Sequence, residues 1–259
     1  MASGRADERL VVERRGGFLE LIATEPRQQA EIADALDVSR STVTRAMREL
    51  GEHGLVERTN GRYRVSPLGR AVLQSYRRYS AVVRSLYEYQ SFIEYIPEEA
   101  PFDPFLFAEG ICHLVEEGAS FKIRERINRE FRSAERIVGM SRTRSVRESL
   151  TIFYETVIEE NNPVEYILSA DLYSHVSGLE NGKTILQAEN SECSIHENIP
   201  YGLFVLDQGD LRWMVMIVYD ESDSIKGVLT NRSPFAIAWA ESVYEDYLEE
   251  SVPVKSYSE

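Results

Sequence analysis

The stretch "SRSTVTRAMREL" (Ser39–Leu50) decides how the first part of the chain is read. Val43, Ala46, Met47 and Leu50 recur at i, i+3, i+4 and i+7, the spacing of one packed helix face. Arg40, Ser41, Thr42, Thr44, Arg45 and Arg48 are left for the outer face. Ser39 has the residue type and position of an N-cap, and Gly54 suits the C-terminal stop. A helix over about 40–53 with a basic, hydroxyl-rich exposed face is predicted, in a chain that is otherwise acidic.

Upstream, Leu10, Val11, Phe18, Leu19, Leu21 and Ile22 predict a helix over Arg9–Thr24, closed by Glu25-Pro26 because proline disfavours helix in the residue before it. "QQAEIADALD" predicts a second helix, with Ala30, Ile32, Ala33 and Leu36 inward, and Asp37-Val38-Ser39 forms the turn to the third. Downstream, "LVERTNGRYRVS" is two alternating strands around Asn60-Gly61, a pair that favours a tight hairpin turn. Helix, helix, turn, helix, hairpin is the order of a winged helix-turn-helix. In that fold the third helix enters the major groove of duplex DNA, with its N-terminal residues near base edges. Ser39, Arg40, Ser41, Thr42, Thr44, Arg45 and Arg48 are therefore candidate DNA contacts: arginine pairs bidentately with guanine, and hydroxyls serve phosphates or several bases. The wing adds Arg58, Asn60, Arg62 and Arg64 for phosphate or minor groove. Winged folds also serve as protein-binding modules, so an interaction module of the transcription machinery stays open.

Composition supports a nucleic-acid-facing front. The net charge over 259 residues is −14, yet residues 1–90 hold 15 Arg against 12 Asp+Glu, whereas residues 91–259 hold 14 Lys+Arg against 31 Asp+Glu. Such asymmetry separates a basic face from a solvated acidic rear. Only four of the 29 cations are lysine (Lys122, Lys183, Lys226 and Lys255). An acid-rich, lysine-poor chain fits a salt-rich, halophilic cytoplasm; ordinary acidity in an arginine-preferring proteome is the alternative. No apolar run reaches the ~18–20 residues of a membrane span, and the N-terminus has no apolar signal segment. A cytoplasmic protein without membrane contact is the expectation.

From Pro67, with Ser66 as N-cap, a long helix runs toward Ile96, and "PEEAPFDP" breaks it. The expected domains are a winged helix-turn-helix over 1–66, a linker and dimerisation helix with its Pro-rich boundary over 67–103, and an α/β domain over 104–259. In the last, helices are expected at Phe105–Glu117, Ser145–Glu160, Asp171–Leu179 and Pro234–Glu250. Strands are expected at 135–140, 164–168, 183–188, 201–207, 212–220 and 226–231. The fold class is α+β, with a mixed sheet in the C-terminal domain. The apolar and aromatic length of the Pro67–Ile96 helix exceeds what one winged domain covers, which points to packing against a two-fold mate, against the C-terminal domain, or both; a homodimer is the expected assembly.

The segment from Glu31 to Gly69, within "AEIADALDVSRSTVTRAMRELGEHGLVERTNGRYRVSPLGR", closely resembles the DNA-binding domain of archaeal winged-helix transcription regulators, especially those of salt-loving archaea. "IPYGLFVLD" (199–207) and "GVLTNRSPFAIAWAESVYEDY" (227–247) more loosely resemble the C-terminal domain of methanogenesis-regulator-type archaeal regulators. The resemblance implies a sequence-specific DNA-binding regulator whose C-terminal domain senses a small-molecule effector or mediates assembly. It names no ligand.

The other constellations carry less. Arg142, Arg144 and Arg147, after the strand at 135–140, are candidates to hold an anionic effector at a helix N-terminus; solvated ion pairs are the plainer reading. Tyr201 and Trp213, with Tyr154, Tyr166 and Trp239, are candidates to line a ligand pocket, although aromatics on strands are commonly core. No glycine-rich nucleotide fingerprint is present. A phosphodiesterase of the H-x-K type lacks its lysine, since Glu197-Asn198 follows His196. Two cysteines, Cys112 and Cys193, and four scattered histidines point to neither a disulfide framework nor a zinc site. No catalytic residue, metal or cofactor is expected, and the chain is read as a regulator rather than an enzyme.

Overall fold

The computed structural model of the chain describes residues 3–115, 120–142 and 147–256. The chain forms two compact units, Met1–Val83 and Arg84–Glu259.

The first unit contains α1 (Ser3–Thr24), β1 (Arg27–Gln28), α2 (Gln29–Leu36), α3 (Arg40–Glu52), β2 (Val56–Thr59), β3 (Arg62–Val65) and the first part of α4 (Pro67–Glu88). Its three-stranded sheet runs β1-β3-β2. Leu19 and Ile22 of α1, Ile32 of α2, and Val43, Ala46 and Leu50 of α3 are fully buried together. The period-3.6 stripe of each helix thus closes one core. The wing turns at Asn60 (φ 52°) and Gly61 (φ 80°). Both central residues sit in the left-handed region, as a two-residue hairpin turn demands. Gly69 has a different reason: a Cβ there would overlap the carbonyl oxygen of Leu55. This glycine lets α4 lie against the chain as it enters the wing.

The two units divide at Val83/Arg84, inside α4, rather than in the Pro-rich stretch where the sequence suggested a boundary. The cause is packing. Val72, Leu73 and Tyr76 join the winged core, while Leu86, Tyr89, Phe92, Ile93 and Ile96 join the core of the second unit. Most of the apolar length of residues 67–96 is therefore covered within the chain.

The second unit continues with α5 (Gln90–Ile93), a 3₁₀ turn at Pro104–Phe107, β4 (Ile111–Leu114), α6 (Ser120–Arg132) and β5 (Arg136–Ser141). Next come α7 (Arg147–Tyr154), extended by a π turn at Glu155–Glu159, β6 (Val164–Ser169), α8 (Ala170–Ser177), α9 (Glu180–Gln187) and β7 (Ser191–His196). The unit ends with β8 (Gly202–Gln208), β9 (Leu211–Tyr219), β10 (Ile225–Asn231), α10 (Pro234–Glu249) and β11 (Val252–Pro253). Eight strands form one sheet in the order β11-β7-β6-β5-β8-β9-β10-β4. β5, β6 and β7 are parallel to one another and every other pairing is antiparallel, so the sheet is mixed. Alternation along β8 and β9 splits the core. Leu203, Val205, Met214 and Met216 face Ala236, Ala240 and Val243 of α10. Phe204, Leu206, Trp213 and Val215 share the opposite face with Ile123, Ile127 and Phe131 of α6.

Two expected elements change type. Phe105–Glu117, read as helix, contains a 3₁₀ turn and then β4, which pairs with β10. "KTILQA", read as a strand, belongs to α9. Its Gly182, Ile185 and Leu186 are buried at i, i+3 and i+4. α6 and β7 add to the expected elements.

Candidate nucleic-acid interface

In α3 the buried face is Val43, Ala46, Met47 and Leu50. Arg40, Ser41, Thr44, Arg45 and Arg48 are exposed and Thr42 is half-buried, so the split between inner and outer positions is as the periodicity required. Ser39 caps the helix: its Oγ accepts from the Thr42 amide at 3.1 Å and lies 2.8 Å from both the Ser41 and Thr42 hydroxyls. This cluster fixes three hydroxyls at the positive end of the helix dipole.

A clamp that the sequence did not reveal holds the same end. Gln29, the first residue of α2, donates through Nε2 to the Arg40 carbonyl at 2.9 Å and to Thr44 Oγ1 at 2.6 Å. Glu31 closes a capping box on α2 by accepting from the Gln28 amide at 2.7 Å. That bond, followed by the charge and hydrogen bond of Arg62, holds the Glu31 carboxyl below the usual carboxylate range. The glutamate three residues after Gln28 was the available signal.

The arginines fall into two groups. Arg62 of the wing donates to Glu31 at 3.1 Å and to the Pro26 carbonyl at 2.9 Å. Arg64 donates to Glu57 at 2.7 Å, and Arg48 stands 3.8 Å from Glu52. Arg40, Arg45 and Arg58 have no carboxylate within ion-pair distance among the described residues. Arg58 instead lies over the Tyr63 ring, 5.5 Å from its centroid. Asn60 is exposed at the wing tip. In a chain this acidic, cations left unneutralised on one exposed helix face and one hairpin form an open surface for an anionic partner.

In the second unit, a cavity of about 730 Å³ is lined by residues that include Arg142, Ser169, Asp171, Glu197, Asp223 and Tyr247. Arg142, Ser169 and Glu197 lie at or just beyond the C-terminal ends of the parallel strands β5, β6 and β7. Ser169 caps α8, and Arg142 pairs with Asp223 at 3.2 Å while lying over the Tyr219 ring. Among the described residues, Arg142 is the one sequence candidate for a ligand that lines this cavity. Tyr201 is fully buried, with its hydroxyl donating to the Pro101 carbonyl, and Trp213 is buried on the other face of the sheet. The structure does not bring the two together: Tyr201, just before β8, is buried in the core on one face of the sheet, and Trp213, on β9, in the core on the other. Arg144 lies outside the described residues. Among the described residues, no group of three His, Cys, Asp or Glu side chains is placed to hold a metal ion. No described helix is long and apolar enough to cross a membrane.

Comparison with solved structures finds distant likenesses of shape. TrmBL2, described as an archaeal chromatin protein, has 12% identity, with 95% of this chain and 94% of that chain covered and a TM-score of 0.44. NucT from Helicobacter pylori has 11% identity over 56% of this chain and 98% of that chain, with a TM-score of 0.44. The phosphatidylserine synthase of Haemophilus influenzae Rd KW20 has 14% identity over 57% of this chain and 40% of that chain, with a TM-score of 0.41. No curated protein matches the chain in sequence. Family profiles match directly: residues 5–86 fit the HVO_A0261 N-terminal domain, and residues 120–250 fit the middle domain of the methanogenesis regulatory protein FilR1. With just over half of its length in the second match and its winged unit in the first, the chain belongs to the family of the FilR1-type regulators, behind an HVO_A0261-type N-terminal domain.

Proposed function

We propose that the chain is a sequence-specific, DNA-binding transcriptional regulator that acts as a homodimer and takes a small-molecule effector in its C-terminal unit. The observation that carries this reading is the outer face of α3. Arg40 and Arg45 stand there exposed and without carboxylate partners among the described residues, on a helix end fixed by Ser39 and Gln29. Arg40 and Arg45 read base edges, with Ser41, Thr42 and Thr44 on phosphates or bases. Ser39 presents the helix end, while Arg48, Arg58, Asn60, Arg62 and Arg64 hold the backbone beside it. The effector site is the cavity of Arg142, at the strand ends where open α/β sheets take ligands. The role is regulatory, with no catalytic residue, cofactor or metal.

The test is a mobility-shift titration of the full chain on DNA upstream of its own gene, against random duplex as competitor. Preferential retention of the upstream DNA supports the reading. Equal competition by random duplex removes sequence specificity. No shift with either duplex, combined with capture of a component of the transcription machinery, favours a protein-interaction module.

A further inference from the structure

The part of the chain with the strongest acidic excess contains one basic helix. α6 carries Lys122, Arg124, Arg126, Arg129 and Arg132 against Glu125 and Glu130. Five of the 14 cations of residues 91–259 thus fall within 13 residues. The inner face explains the apolar positions: Ile123, Ile127 and Phe131 are buried at i, i+4 and i+8, and Phe131 meets Phe204 edge-on at 4.7 Å. Lys122, Arg126 and Arg129 recur at i, i+4 and i+7, which aligns them in a single row. Lys122, Arg124 and Arg129 are exposed and Arg126 is half-buried.

These cations are treated differently from others in the same unit. Arg136 meets Glu165 at 2.6 Å, Arg212 meets Asp207 at 2.7 Å, and Lys226 meets Asp220 at 2.9 Å. No carboxylate lies within ion-pair distance of Lys122, Arg124, Arg126 or Arg129 among the described residues, although Glu125 and Glu130 share the helix. Like charges three and four apart on a helix are destabilising, and Glu125 and Glu130 offset them only from beyond ion-pair distance. Arg40, Arg45 and Arg58 on α3 and the wing share this unneutralised state.

We infer that the Lys122–Arg126–Arg129 row of α6 is a second contact surface for duplex DNA, directed at the phosphate backbone and independent of sequence. It rests on the DNA-binding reading of the winged unit. The row spans about 10 Å of helix, and the same length of duplex presents on the order of six phosphates. Guanidinium groups match phosphate oxygens bidentately. Its outer face has one exposed large apolar side chain, Phe121, which is too little for the apolar centre of an interface between two copies.

The test compares the full-length wild type with Lys122→Gln/Arg126→Gln/Arg129→Gln and with the charge-retaining Lys122→Arg/Arg126→Lys/Arg129→Lys. Affinity is measured by fluorescence anisotropy on a random and on a selected duplex across a salt series. The glutamine variant is expected to lose on the order of ten-fold on both duplexes, with the slope of log K against log salt shallower by about 2–3. The charge-retaining variant is expected to keep the slope, which follows the number of charges, and to lose no more than a few-fold in affinity with its bidentate contacts. Wild-type affinity and slope in the glutamine variant overturn the inference and leave the winged reading intact. A wild type that binds neither duplex overturns both. A glutamine variant that light scattering shows to be a smaller species than the wild type assigns the row to a second copy instead, and also overturns it. If the triple change lowers the melting midpoint, Lys122→Gln/Arg129→Gln, at two exposed positions, decides by the same criteria.

Discussion

Single side chains at the α3 end set the most direct expectations. Arg45 is exposed and unpaired among the described residues, whereas Arg62 already holds Glu31 and the Pro26 carbonyl. Arg45→Ala should cost ~1–3 kcal/mol on a selected site and relax one base position. Arg62→Ala should weaken selected and random duplex by the same factor, and by less than Arg45→Ala on the selected site, because Arg62 must first leave its carboxylate. Quantitative competition on both duplexes separates the two. Ser39→Ala removes the cap of α3 and should lower stability by ~0.5–2 kcal/mol in chemical denaturation. Cys112 is buried among Phe92, Leu106 and Phe107. Burial, followed by the nearby Glu88 charge, pushes its thiol up to about 12. Burial also raises the Cys193 thiol. Both thiols should resist alkylation in the native protein at mildly alkaline pH and react on unfolding, a contrast that mass spectrometry reads directly.

At the scale of elements, α1 and α3 are latched by one carboxylate. Glu49 accepts from Arg15 at 2.8 Å and from Arg14 at 2.9 Å. The Arg15 hydrogen bond, outweighing partial desolvation and aided by the charges of both arginines, holds the Glu49 carboxyl below its ordinary range. A carboxyl lowered in the folded state stabilises above its unfolded value and loses that contribution as pH falls through its folded value. The melting midpoint of the wild type should therefore drop on acidification below about pH 5, and Glu49→Gln should show a smaller drop from a lower starting point. The elements of the winged unit were legible because each amphipathic segment is bounded by punctuation: Pro26, Ser39, Gly54, Asn60-Gly61 and Ser66-Pro67. The second unit was less so. "ICHL" and "KTILQA" are short apolar runs, and periodicity alone does not tell a short strand from a buried helical turn. The neighbours decide. β10 offers Ile111–Leu114 an open sheet edge, while close contact of Gly182 with Val176 fixes α9 beside α8. β7, "SECSIH", is polar enough to read as loop and is a strand because β6 and β11 pair with it. At the candidate site, the outer face of α3 was legible from spacing. The Gln29 clamp and the division of arginines into paired and unpaired were not, since both depend on residues brought from α2 and the wing.

For the whole molecule, α4 contributes to both cores, with Val72, Leu73 and Tyr76 in one and Leu86 in the other. Charge placed at Leu86 would consequently damage the fold before it reported on assembly. Tyr87, 78% exposed on the same helix, is the better probe: Tyr87→Arg should leave melting unchanged, and if this face joins two copies, light scattering should show a monomer. An effector that binds the Arg142 cavity changes DNA affinity only if it favours one arrangement of the protein over another. Arg142→Ala should then alter the response to that effector while leaving DNA affinity in its absence unchanged, as measured by anisotropy with and without the compound. The central claim is that α3 reads sequence in the major groove. Selection of bound duplexes from a random pool, with the full-length wild type and Arg45→Ala side by side, tests it most directly. The account predicts an enriched inverted repeat with half-sites about one turn (~34–36 Å) apart, degenerate at one position per half-site in the variant. A pool that remains random, or an enriched motif identical for both proteins, would contradict it.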